Sequence, residues 1–158
     1  MALITYQDKS ATNVNASVAD VNKVKAEDMN EIKTVVNGNY NEFAPTVLYN
    51  NASGSNTSIV ISDSAANYTY IEIFYGWGDG TTFGLSSELI YNPNGAKANL
   101  KITALNNNYL YVASSLWTIS GTSITLNSGE QWRIGTSPNV TRTQTNQIGI
   151  VRVLGYKY

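Results

Sequence analysis

Few side chains in this sequence could carry out chemistry. The chain has neither histidine nor cysteine, which removes Ser-His-Asp and Cys-His nucleophilic catalysis and ordinary zinc sites. Glycoside hydrolysis needs two carboxylates in one cleft, and a calcium site needs several oxygen ligands. No spacing of the acidic residues demands either arrangement, so we expect a protein that is not an enzyme, with no catalytic residue, no metal and no cofactor. The acidic residues beyond residue 44 are Asp63, Glu72, Asp79, Glu88 and Glu130.

Residues 75–82 are the best candidate for a binding site. Three glycines follow a predicted strand there and surround a tryptophan and an aspartate. An aromatic ring can stack on the apolar face of a sugar, and a carboxylate accepts hydrogen bonds from its hydroxyl groups. We therefore predict that Tyr75, Trp77 and Asp79 contact carbohydrate. The alternative is a hairpin turn in which Trp77 folds back on the sheet.

The strands on either side must hold this loop in place, and predicted strands make up most of the sequence from residue 44 onward. Short segments, most with alternating apolar and polar residues, are separated by Asn- and Gly-rich turn clusters. This pattern predicts a mainly β chain whose residues 44–158 form a jelly-roll-like β-sandwich. Trp117 and Trp132 lie inside predicted strands and are expected to be core or interface residues. The predicted strands are 46–50, 57–62, 68–75, 88–91, 99–104, 109–113, 117–120, 123–126, 131–134 and 148–156.

One helix precedes the β region, within residues 25–43. Acidic residues in its first turn favour the positive end of the helix dipole, and apolar residues recur along one stripe. The stripe either packs on the chain's own β domain or forms a short parallel bundle with other copies. Two heptads are too few to hold a coiled coil alone, so a homotrimer would also need the β domains to associate. The candidate seam residues are Met29, Ile32, Val36, Asn39 and Phe43.

The pattern of residues 1–24 predicts an extended arm, which could not form a hydrophobic core alone. Polar residues alternate roughly with small or apolar ones. The segment is either a disordered tail or a peptide that orders on a partner protein. The candidate docking residues are Tyr6, Val14, Val18 and Val21.

The arm and the helix together carry a resemblance. Residues 5–15 and 21–37 resemble the start of minor structural proteins of tailed bacteriophages, where a similar segment precedes varied downstream domains. Residues 46–50, 59–68, 71–76 and 150–157 are similar to the distal domains of phage fibre and baseplate proteins. The resemblance implies a virion protein, often homotrimeric, that docks through its arm. It does not cover the region from Trp77 to about Thr145.

Composition restricts the partners. Charged residues make up 13% of the chain, and the net charge is −1. Because no basic patch, polybasic run or apolar stretch of bilayer length is present, we expect neither nucleic acid nor membrane as a partner. The N-terminus lacks the pattern of a signal peptide. We therefore expect assembly in the host cytoplasm and a final location in the virion.

Two functions remain open. In the first, residues 1–24 dock on another virion structural protein, and the β domain is a fibre tip that contacts host-surface carbohydrate. In the second, the chain is a capsid head-fibre or decoration protein with no dedicated receptor. Mounting on tail, baseplate or capsid is left open by the sequence.

Overall fold

The computed structural model describes residues 26–78, 84–106, 108–135 and 140–157. The chain divides into two compact units, Met1–Ala44 and Pro45–Tyr158. The predicted docking residues Tyr6, Val14, Val18 and Val21 lie outside the described part, and so does Asp79.

The first unit contains helix α1, Ala26–Phe43. The helix continues through Gly38, the residue at which the sequence allowed it either to end or to run on toward Phe43. Its last turn is closed by the N–H of Ala44, which donates to the carbonyl oxygen of Tyr40 at 3.0 Å. Pro45 has no N–H to extend this pattern, and proline disfavours helical backbone in the residue before it.

The second unit is a sandwich of two curled antiparallel sheets, which confirms the prediction of a mainly β chain with one helix and a β-sandwich. A short 3-10 helix, Ala65–Asn67, caps one end. Sheet A consists, in spatial order, of β1 (Thr46–Ser55), β9 (Ile148–Tyr156), β3 (Tyr70–Trp77) and β4 (Leu85–Tyr91). Sheet B consists of β2 (Ile59–Val60), β7 (Ser123–Ile134), β6 (Tyr109–Ser120) and β5 (Lys97–Asn106), with β8 (Val140–Thr143) paired to β7.

The core lies between the two sheets, because alternate residues of each strand point inward. Trp117 at its centre is fully buried, as the sequence predicted. Its indole Nε1 donates to Ser115 Oγ at 2.6 Å, which satisfies the polar atoms of both side chains. The inward-facing residues include Ile71, Ile73, Tyr75, Ala98, Leu100, Ile102, Ala113, Ile119, Ile124, Ile148, Ile150 and Val153.

Two strands of the structure each cover two segments that the sequence pattern predicted as separate strands. Residues 109–120 form one strand rather than two, and so do residues 123–134. The predicted turn at 127–129 is instead a β-bulge: Leu116 pairs with Ser128 and Trp117 with Leu126, so Asn127 has no opposite residue. Strand β8 was not predicted at all.

The start of β1 and three of the hairpins of the β domain lie at opposite ends of the sandwich, whereas the β6–β7 turn at Gly121 lies at the same end as the start of β1. Strand β1 begins at Thr46, opposite Gly155, and Tyr70 and Tyr156 pair at this same end. The C-terminal ends of β3, β5 and β7 lie at the other end, which we call the loop end. The eight residues of β3 separate the two ends by about 23 Å.

Candidate functional site

Tyr75 is not available to a ligand. Its side chain is only 4% exposed, in the core between the sheets. The hydroxyl donates to the carbonyl oxygen of Lys101 at 3.2 Å, and burial raises the pKa of Tyr75. The prediction that Tyr75 contacts carbohydrate is therefore wrong, because strand alternation turns this residue inward.

Trp77 is the last residue of β3 and is half-buried. Its ring lies edge-on to that of Tyr111 at a centroid distance of 5.8 Å, and Tyr111 lies 6.3 Å from Tyr109. The guanidinium of Arg133 covers the ring of Tyr109 at 4.6 Å. These contacts join the two sheets at the loop end, as expected of a tryptophan that folds back on the sheet. Asp79 lies outside the described residues; of the other two predicted site residues, Tyr75 faces the core and Trp77 packs on Tyr111.

The apolar stripe on α1 is exposed. Met29 is 40%, Ile32 51% and Val36 42% accessible, and Asn39 is exposed as well. Phe43 is the last residue of the helix. Met29, Ile32 and Val36 thus form an accessible apolar surface of the first unit.

A polar cleft on the outer face of sheet B is a candidate site. Its volume is about 610 Å³, within the range of small-molecule sites. We call it the sheet B cleft. Its main polar lining residues are Asn99, Ser114, Ser128, Glu130, Arg142 and Gln144.

Strand register brings these side chains together. Asn99, Leu116 and Ser128 are opposite one another on β5, β6 and β7. In the next row Ser114 pairs with Glu130. Directly opposed residues of antiparallel strands point to the same face. The polar side chains therefore share the outer face, and Ser114 Oγ donates to Asn99 Oδ1 at 3.2 Å.

One ion pair spans the cleft wall between β7 and β8. Arg142 donates to Glu130 Oε2 through Nε at 2.9 Å and also through Nη2. Because both donors use one oxygen, Arg142 leaves Glu130 Oε1 to other partners. The guanidinium also lies 5.8 Å from the ring centroid of Trp132. As these are the two charged residues of the lining, the cleft carries no net charge.

Gly129 allows the chain segment after β8 to pass close to β7. A Cβ on Gly129 would lie 2.6 Å from the Cα of Asn146, so only glycine fits there. Asn146 is fixed in turn, because its Nδ2 donates to the carbonyl oxygens of Asn56 and Ile148 at 2.7 and 2.9 Å. This close packing holds Gln144, two residues earlier, at the cleft wall.

The cleft can bind a hydroxyl-rich ligand. Amide groups both donate and accept, and the serine hydroxyls do the same. Its lining contains a single carboxylate, that of Glu130, whereas glycoside hydrolysis uses two. Within the described residues, no group of three or more acidic, His or Cys side chains could hold a metal ion.

Sequence reasoning considered Glu130 only as a catalytic carboxylate and did not single out Asn99, Ser114 or Arg142. The alternation of Asn99 with buried Leu100 and of Ser114 with buried Ala113 marked these two residues as outward-facing. What the sequence did not show was the register that places them side by side, because β8 was unpredicted and the Asn127 bulge shifts β7 by one residue.

The chain matches no protein-family model, no curated protein and no solved structure. In the described part of the chain, no helix is long and apolar enough to cross a membrane.

Proposed function

We propose that the chain is a structural fibre protein of a tailed-bacteriophage virion and that its β domain binds a host-surface saccharide in the sheet B cleft. The sequence resemblance of residues 5–15 and 21–37 to phage structural proteins supports the virion role. The observation that carries the binding role is the polar cleft of about 610 Å³ with no net charge.

The lining chemistry favours a neutral sugar. Sugar hydroxyls need partners that both donate and accept, which the amides of Asn99 and Gln144 supply. The carboxylate of Glu130 can accept a further hydroxyl through Oε1, because Arg142 engages Oε2. A charge-assisted hydrogen bond of this kind is stronger than a neutral one. An anionic sugar would instead have to compete with Glu130 for the guanidinium.

The path of the chain suits a displayed domain. The β domain is entered at Thr46, and the hairpins of β3–β4, β5–β6 and β7–β8 lie at the opposite end. In the proposed virion, residues 1–24 dock on another structural protein, and the loop end faces away from the attachment point of the β domain.

The second candidate function is a capsid head-fibre or decoration protein with no receptor. The exposed apolar residues of α1 and of sheet B favour it, because such surfaces suit protein neighbours as well. In that case the cleft would bind no saccharide.

The test uses labelled full-length protein on an array of bacterial surface polysaccharides. We expect the wild type to bind neutral polysaccharides and Glu130→Gln to weaken binding by about tenfold, since it removes a charge-assisted hydrogen bond. Glu88→Gln is the matched control, because Glu88 is an exposed carboxylate of sheet A. Absence of binding by the wild type to any polysaccharide would reject the saccharide role and favour the decoration protein. The virion role is tested separately by immunogold labelling of tailed particles from the source material.

A further inference from the structure

Trp132 lies on the outer face of sheet B, next to the sheet B cleft. It follows Glu130 by two residues on β7, and side chains two residues apart on a strand point to the same face, about 7 Å from each other. Its opposite residues are Val112 on β6 and Arg142 on β8. The tryptophan of the core is Trp117, which is fully buried, whereas Trp132 is only half-buried.

One guanidinium joins the indole ring to the cleft. Arg142 donates two hydrogen bonds to Glu130 Oε2, and its Cζ lies 5.8 Å from the ring centroid of Trp132. A guanidinium can make both contacts because it is planar and weakly hydrated. The side chains of Glu130 and Trp132 are therefore both restrained by Arg142. Restraint before binding reduces the ordering that a ligand must impose, which favours affinity.

We infer that Trp132 is the aromatic platform of the sheet B cleft and that the ligand is a polymer of pyranose sugars. One ring is hydrogen-bonded in the cleft, and the next ring stacks on the indole. This inference rests on the saccharide binding proposed above. A pyranose ring presents several C–H groups on one flat face, which suits the face of an aromatic side chain. A furanose ring is smaller and puckered, and it offers no comparable face.

The path of β7 gives the polymer a direction. The strand runs from Ser128 through Glu130 and Trp132 to Ile134 at the loop end. The distance of about 7 Å between alternate residues is comparable to the length of one sugar unit. The hydrogen-bonded ring would lie at Ser128 and Glu130, and the stacked ring would lie nearer the loop end. A polymer can use both contacts, whereas a single sugar ring can use only one fully.

The first test measures binding of the full-length protein to neutral polysaccharides: a glucan, a galactan, a mannan and a rhamnan as pyranose polymers, and inulin as a furanose polymer. We expect binding among the pyranose polymers and not to inulin. Trp132→Ala should weaken that binding about fivefold to tenfold, because the stacking contact is lost. Trp132→Phe keeps a ring and should lose less. The matched control is Tyr91→Ala, which removes an aromatic ring that is 66% exposed on sheet A, and it should bind as the wild type does.

The second test observes Trp132 directly by fluorescence. Because Trp117 is fully buried, the emission that iodide can quench in the Trp77→Phe variant comes from Trp132. Addition of the pyranose polymer that the wild type binds should protect this emission from iodide, since a stacked sugar covers the ring. In Trp132→Phe, where Trp77 remains, the same addition should leave quenching unchanged. Circular dichroism checks that every variant is folded.

The outcomes separate this inference from the proposed function. Wild-type binding that Glu130→Gln weakens and Trp132→Ala leaves unchanged would overturn the inference and keep saccharide binding by the cleft. Equal binding to inulin and to the pyranose polymers, or iodide quenching that the bound polymer does not alter, would have the same meaning. Absence of wild-type binding to any polysaccharide would reject both proposals.

Discussion

Arg142 gives two hydrogen bonds to a single oxygen of Glu130, through Nε at 2.9 Å and through Nη2. The pair joins β8 to the loop-end half of β7 and fixes one wall of the sheet B cleft. The side chain of Arg142 is 57% exposed and that of Glu130 28%. Water and salt therefore screen the pair, and its effect on binding should exceed its effect on stability.

The Arg142→Leu variant tests this separation. Exposed ion pairs contribute about 0–1 kcal/mol, so we expect the free energy of unfolding in urea to fall by no more than about 1 kcal/mol. Binding of neutral polysaccharide should fall further, because the released Glu130 carboxylate can turn away from the cleft. A loss of stability well above this range, with binding unchanged, would assign the pair a structural role.

The buried pair of Ser115 and Trp117 should be far more important for stability. In Ser115→Ala the indole N–H of Trp117 loses the acceptor that now lies at 2.6 Å. A buried donor without a partner costs about 1–3 kcal/mol, and urea denaturation should show a loss in that range. Ser114→Ala is the matched control, since Ser114 bonds to Asn99 on the outer face and should change stability little. Equal losses in the two variants would contradict this assignment.

Gly129 should be necessary for both stability and binding. A Cβ there would lie 2.6 Å from the backbone of Asn146, so Gly129→Ala must displace the segment that carries Gln144. Overpacking of this kind costs about 1–3 kcal/mol, measurable by urea denaturation. Polysaccharide binding should also weaken when assayed at a temperature where the variant remains folded. Ser128→Ala, on the neighbouring exposed residue, controls for a general sensitivity of this strand, and its stability should match the wild type.

The alternation of apolar and polar residues predicted most of the fold. Ile71 and Ile73 face the core as expected, and Ile148 and Ile150 do the same. In β9 the alternation predicts that Leu154 also faces the core, but in the structure Val153 faces the core instead. The cause is an irregularity in pairing: Phe74 pairs with Arg152 and Tyr75 with Ile150, so Val151 is skipped. Bulges change the face on which later residues lie, and alternation alone does not locate them.

The candidate site was harder to predict because it depends on contacts between distant segments. Trp77 drew attention as an aromatic residue among glycines, yet its ring packs on Tyr111. The cleft residues are ordinary polar residues at outward-facing strand positions, and only the pairing of β7 with β8 sets Arg142 beside Glu130. Asn- and Ser-rich segments also favour turns over strands, which explains why the sequence separated the two halves of β7 at residues 127–129.

The last prediction concerns acid stability and Asp63, at the end of the sandwich opposite the loop end. Its carboxylate accepts hydrogen bonds from the Ser64 N–H at 2.7 Å, the Tyr68 hydroxyl at 3.0 Å and the Asn67 amide at 2.9 Å. These bonds favour the charged form and hold the pKa of Asp63 below its ordinary value of 3.8. A pKa lowered by folding contributes stability that is fully present above the unfolded-state pKa and is lost as the pH falls through the folded-state pKa.

For the wild type we therefore expect the urea midpoint to fall as the pH is lowered below about 4–5, toward the folded-state pKa of Asp63. Asp63→Asn cannot titrate, so its midpoint should be lower than that of the wild type at neutral pH and should fall less steeply in acid. The two curves should approach each other as the wild-type carboxylate becomes protonated. Glu88→Gln, which removes an exposed carboxylate of sheet A, controls for the general effect of net charge in acid. Parallel curves for the wild type and Asp63→Asn across the acid range would show that the hydrogen bonds to Asp63 do not contribute to the pH dependence of folding.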